Sequence, residues 1–324
     1  MDNCNACKCG VGLDGLGFDC TPELQVAYKL IAVPTFDSTG ARNKIPFTAT
    51  LNQAYFDALI NQSDISKRWS PFPAMKNIDD KRGENKTFEF DDQTTEFLAE
   101  GARKFVGMIS GLAGSGANSP QMKGLIEKIR CGDYSFYVVT VKNQLIGKLS
   151  SDGLSLEPIE IDEQSISAMF VKKTNATPQH ILLSFNWSQI EQDENLRMFD
   201  CNELGAANLQ GLRGLFSVCY NLVDTGVDHV TVQLVTSFGT PASPDTVDGL
   251  VVTDFVSSDS AAPSKIFNET DNADVAITGF TENPDGTYQL DFTPQDMSDT
   301  LILFAVKAGY EFSCVKENPI SVES

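Results

Sequence analysis

The 324-residue sequence has two histidines and two tryptophans, and its 24 lysines and arginines face 44 aspartates and glutamates. Each scarcity excludes something. His180 and His229 lie far apart in strand-like stretches, so neither a histidine pair at metal spacing nor a ready catalytic triad is offered. The Gly-x-Ser-x-Gly pattern of a nucleophile serine and the phosphate loop are missing as well. Both histidines are therefore read as structural, and neither an enzyme nor a bound cofactor is expected. Glu191, Asp193 and Glu194 read as a solvated charge run rather than a carboxylate site. No apolar run approaches the roughly 18 residues of a membrane helix. The first residues lack a basic stretch followed by an apolar one, so synthesis in the cytoplasm without a secretory leader is expected. A net charge of −20 repels phosphates, which argues against binding DNA by charge neutralisation.

Half of the eight cysteines fall in the first twenty residues, as Cys4, Cys7, Cys9 and Cys20. Four thiolates could hold zinc. Their spacing fits no zinc ribbon and no histidine lies close, so an unmetallated arm over residues 1–25 is the preferred expectation. Its thiols would be reduced, or oxidised after assembly. The other four, Cys131, Cys201, Cys219 and Cys314, are scattered, and cytosolic synthesis argues against early disulfides.

What is present is mostly β signal. Val26–Val33 is an apolar run closed by Pro34, the form of a buried strand. Gln53–Ile60 suits a short helix. Two prolines in Ser66–Pro73 argue against a regular element there. Lys76–Asn85 reads as a charged loop, and Thr94–Ile109 fits strand or helix. The best helix spans Pro120–Arg130. Ser119 caps it, Pro120 takes its first position, and Met122, Leu125, Ile126 and Ile129 form one stripe. Tyr134–Val141 with Leu145–Lys148 reads as a hairpin, and Leu154–Ile161, Ile166–Lys172 and Gln179–Trp187 as further strands.

From about Thr225 the texture changes. Residues 225–324 hold 3 basic and 16 acidic residues, and short strands recur between turns rich in Gly, Pro, Ser and Asp. Roughly seven strands in about 100 residues describe an immunoglobulin-like sandwich. The expected class is thus mainly β, with an arm (1–25), a β-domain carrying one main helix (26–224) and an immunoglobulin-like domain (225–324).

Residues 26–200 resemble the tail tube proteins of tailed bacteriophages, of the kind encoded by phages of Bacteroidota hosts. The resemblance rests on Val26–Pro34, Leu51–Tyr55, Ser66–Trp69 and Asp193–Arg197, and on a single helix interrupting a run of strands. It implies a tail-tube-like β-sandwich or barrel that closes into hexameric rings. Stacked rings would form an acidic channel through which DNA passes without specific binding, with other tail proteins as partners and no membrane. The resemblance carries no catalytic residue, and the cysteine-rich arm departs from it. A capsid or decoration protein and a surface adhesion module are the alternatives. Trp69, Phe72 and Arg68 stand out as subunit-interface candidates. Trp69 and Phe72 are among the few large apolar groups of a long, proline-bearing, charged stretch (37–85) that would bury little in a monomer.

Overall fold

The computed structural model describes residues 23–110, 117–191, 193–236, 243–257, 262–312 and 319–322. Strand predominates, and the chain divides after Gly214 into two units.

The first unit opens with β1 (Ala27–Pro34), whose centre, Leu30–Val33, is buried throughout. Both faces of β1 are covered, which is why it reads as a continuous apolar run rather than an alternation. The two-residue β2 (Ile45–Pro46) precedes helix α1 (Gln53–Ile60), capped by Asn52 Oδ1, which accepts from Tyr55 N at 2.9 Å. α1 buries Phe56 and Ile60, one turn apart, and β3 (Ser70–Pro71) then pairs with β1. A long ribbon follows, built from β4 (Met75–Arg82), β5 (Lys86–Glu89), β6 (Thr95–Ala99) and β7 (Arg103–Ile109). The expected charged loop at Lys76–Asn85 is therefore mostly strand, and the ambiguous Thr94–Ile109 resolves as two strands.

Helix α2 (Pro120–Lys128) forms as expected, with Ser119 Oγ accepting from Met122 N at 3.1 Å. It buries Ile126, and Ile129 just beyond it, against the sheet while Leu125 stays exposed. Next come β8 (Tyr134–Thr140), β9 (Leu145–Leu149), β10 (Ser155–Glu157), β11 (Ile159–Val171), β12 (His180–Trp187) and β13 (Leu196–Phe199). The main path through the sheet is β2-β10-β9-β8-β11-β12-β7-β4. β11 turns the corner. Its first residues pair with β8, its later ones with β12, and the register breaks between Asp162 and Ser167. Phe105, Phe136, Phe185 and Trp187 belong to the core of this unit.

The second unit contains β14 (Phe216–Thr225), β15 (His229–Thr236), β16 (Phe255–Val256), β17 (Lys265–Asn268) and β18 (Ala273–Glu282). It ends with β19 (Thr287–Phe292), β20 (Thr300–Ile302), β21 (Phe304–Ala305), β22 (Tyr310–Phe312) and β23 (Ile320–Ser321). Its order is β22-β14-β15-β19-β18-β17-β20-β23, with β14 and β22 running parallel. β18 pairs with β17 through its first residues and with β19 through its last, across a register break at Ile277–Gly279. A switching strand of this kind folds one sheet into two layers, as in a β-sandwich, around Val232, Phe255, Tyr288 and Leu290.

The unit begins at Leu215, ahead of the expected boundary at 225, and β14 lies within it. β14 pairs with β15 over Val218–Thr225 and places Val218 and Tyr220 in the core. Each such side chain contributes about 1.5–3 kcal/mol when buried, against a total of about 5–15 kcal/mol for a domain. Residues 215–324 alone are accordingly expected to unfold in urea with one sigmoidal transition, and residues 225–324 with none. Equal midpoints for the two fragments would place the boundary at 225 after all.

Candidate functional site

The three residues singled out from sequence do not face outwards as a group. Trp69 is only 4% exposed and packs 4.9 Å, ring to ring, from Tyr137 and 5.8 Å from Phe56. Phe72 is 7% exposed and meets Phe136 edge-on at 5.6 Å. Arg68 donates from Nε to the Gln62 carbonyl at 2.8 Å and is half-buried. The interface assignment of Trp69 and Phe72 is corrected. A side chain buried within its own chain has no surface left for a neighbour, and α1 with β3 supplies the cover that a loop reading withheld. Cys4, Cys7, Cys9, Cys20 and Cys314 lie outside the described residues. Cys201 and Cys219 are each disulfide-bonded, whereas cytosolic synthesis argued against early disulfides, and Cys131 is free and exposed. Among the described residues no group of three His, Cys, Asp or Glu is placed to hold a metal, and no helix is long and apolar enough to cross a membrane.

Exposed large apolar groups occur at several places in the chain, among them Ile65, Leu154, Ile190 and Met297, but four others lie together in one element. β5 and β6 form a two-stranded hairpin outside the main sheet, and every residue from Gly83 to Glu100 is exposed. Phe88 (52%), Phe97 (58%), Phe90 and Leu98 all stand in water. Phe88 and Phe90 share one face with Glu96, which sits directly across from Phe88, and their rings meet at 5.0 Å. The turn at the tip is well made. Phe90 N donates to Thr94 O at 2.8 Å, and Asp92 Oδ1 accepts from Thr94 N and Oγ1 at 3.0 and 2.6 Å. The bond from the Thr94 hydroxyl holds the Asp92 carboxyl below its ordinary range. An isolated hairpin is marginal in water, and each exposed Phe forgoes about 1.5–3 kcal/mol of burial. Clustered exposed apolar side chains of this kind commonly mark interaction surfaces.

Its root is fixed. Gly83 N donates to Ala102 O at 2.9 Å, and a Cβ on Gly101 would fall 2.2 Å from the Gly83 carbonyl oxygen. Only glycine permits that crossing. Behind it, Arg103 grips Asp80 through Nε (2.9 Å) and Nη2 (2.7 Å), and Trp187 Nε1 donates to the same carboxylate at 2.9 Å. The Arg103 guanidinium also lies over the Trp187 ring at 5.4 Å. Asp193 bridges the two strands, accepting from Arg82 Nε at 3.0 Å and Arg103 Nη1 at 3.2 Å. The bond from Arg82 holds the Asp193 carboxyl below its ordinary range. Sequence reading took Asp193 for part of a solvated charge run. Its neighbour Glu191 is likewise engaged, 2.5 Å from Lys148. The one local signal was the alternation Thr87-Phe88-Glu89-Phe90, too short to reveal an arm.

No protein-family model matches the chain, and no match to a curated protein reaches significance.

Proposed function

We propose that this chain is a non-enzymatic structural subunit that polymerises with copies of itself, and that the polymer is a bacteriophage tail tube of stacked rings. The observation that carries the assembly reading is the uncovered arm: four large apolar side chains held in water on a rigid mount. An arm that docks on a different surface of the next copy makes a heterologous contact, and such contacts close into rings or run on as filaments. The tube reading rests on the sequence resemblance and on the acidic balance, which suits a lumen past which DNA slides. The immunoglobulin-like reading of the second unit belongs to the same proposal, and its two-layer strand arrangement supports it. A surface adhesion module is the second reading. It is favoured by the disulfide-bonded Cys201 and Cys219, a state typical of oxidising surroundings.

Negative-stain images of the purified full-length protein are expected to show rings or tubes. Phe88→Asp with Phe97→Asp is expected to give a folded monomer by sedimentation and circular dichroism. A wild-type protein that stays monomeric at every concentration would remove the assembly reading and leave the adhesion module.

A further inference from the structure

The same ribbon that carries the arm also presents an open sheet face. Strand registers place Met169 of β11 beside Leu182 of β12, Leu182 beside Met108 of β7, and Met108 beside Lys76 of β4. The next rows bring Val106 and Lys104 to the same side. This is the face away from the Phe105, Phe185 and Trp187 core, because residues alternate along each strand. Met169 is 52% exposed, while Leu182, Met108 and Val106 are half-buried. Lys76 and Lys104 are exposed at its border, and neither is engaged in an ion pair within the described residues.

Resting on the assembly reading, we infer that this face receives the arm of a second copy. Three observations select that occupant. The arm is acidic, with six carboxylates against Lys86 between Gly83 and Gly101, and the face is bordered by unpaired lysines. The apolar parts match as well. Phe88 and Phe90 lie beside Glu96 on one side of the arm, as Met169, Leu182 and Met108 lie beside Lys76 on the receiving sheet. The neighbouring alternative, strand addition at the β4 edge, is guarded. β4 carries a register break after Lys76, with Asn77 at φ 51°, and the charged run Asp79-Asp80-Lys81-Arg82. The arm therefore lies on the face rather than extending the sheet. Within one copy it stands clear of that face, since all its residues are exposed.

The test mixes two variants of the full chain. Phe88→Asp spoils the arm and keeps the face, whereas Met169→Asp spoils the face and keeps the arm. Each alone is expected to weaken self-association by at least about thirtyfold, the loss of one interface anchor. A one-to-one mixture is expected to sediment as a dimer, because one good arm meets one good face. Should Met169→Asp lose its folded spectrum, Lys76→Glu with Lys104→Glu takes its place. That pair is expected to weaken association and to be rescued in part by Glu96→Lys, which stands on the Phe88 side of the arm. Wild-type assembly by Met169→Asp would overturn the receiving face and leave assembly standing, as would a mixture that stays monomeric. Dimers formed by Met169→Asp alone would mean that arms pair with arms, which also overturns it. A wild-type protein that never associates overturns both readings.

Discussion

Trp69→Ala is expected to lower the unfolding free energy of the first unit by about 3–5 kcal/mol, the usual cost of truncating a buried aromatic side chain to alanine. The indole fills the space between α1 and the sheet face formed by β1 and β8, in contact with Phe56 and Tyr137, which are themselves buried. Its backbone N–H also donates to Leu59 O at 3.0 Å, so the residue ties the end of α1 to β3. Packing on both sides leaves little room for collapse after truncation, which puts the cost high in that range. A domain holds about 5–15 kcal/mol in all. The variant should show a urea midpoint far below wild type and a weakened near-ultraviolet dichroism spectrum. Trp69→Phe should recover more than half of the loss. If Trp69→Ala were instead within 1 kcal/mol of wild type and failed only to polymerise, the side chain would be an interface anchor and its buried position wrong.

Stability of the first unit is expected to rise between pH 8 and 10.5 through one residue, Lys29. This lysine is 2% exposed, and its Nζ donates to the carbonyl oxygens of Leu212 (2.5 Å) and Gln210 (3.2 Å). Burial, and then the charge of Arg213, lowers its pKa from 10.5 to about 8. Because the folded value lies below the unfolded one, the unfolded chain binds more protons across that window, and stability increases as the pH rises through it. At 1.36 kcal/mol per unit the rise is about 3 kcal/mol, and it is lost again as the pH falls through 8. Other lysines and tyrosines titrate in the same region, so the quantity to measure is the difference from Lys29→Met. That difference should climb with pH, whatever the offset left by two carbonyls without their donor. A flat difference from pH 7.5 to 11 would show that Lys29 keeps its charge at no cost.

How much of this was legible before the fold is instructive residue by residue. α2 was written in plain terms: Ser119, Pro120 and an apolar stripe, of which Ile126 and Ile129 took the buried side. β1 and β8 declared themselves as apolar and aromatic runs because both faces of each are covered. β4 did not. Its inward side carries Asp80, held by Arg103 and Trp187, and its register breaks after Lys76, so neither hydrophobic alternation nor a constant period survives. Trp69 was misread for a related reason. The flanking Ser70-Pro71 looks like loop, yet those two residues pair with β1, and α1 closes over the indole. The partners of Asp80 and Asp193 are distant in sequence, and Met169 meets Leu182 only through strand register. Nothing local could announce either the arm's root or the face beside it.

The crossed glycines and the doubly held Asp80 have a kinetic consequence. A flexible arm must be immobilised at the moment of contact, which subtracts from affinity and slows productive encounters. Here the backbone of Gly83 is already bonded to Ala102, and the fork of Arg103 fixes the direction in which the hairpin leaves the sheet. Encounter through the proposed contact would then resemble the collision of two preshaped bodies, with a rate set by diffusion, orientation and the pull between carboxylates and lysines. Such a rate falls as salt is added, while the lifetime of the contact, resting on phenylalanine and methionine, changes little. Ionic strength would thus govern how fast subunits join more than how firmly they stay.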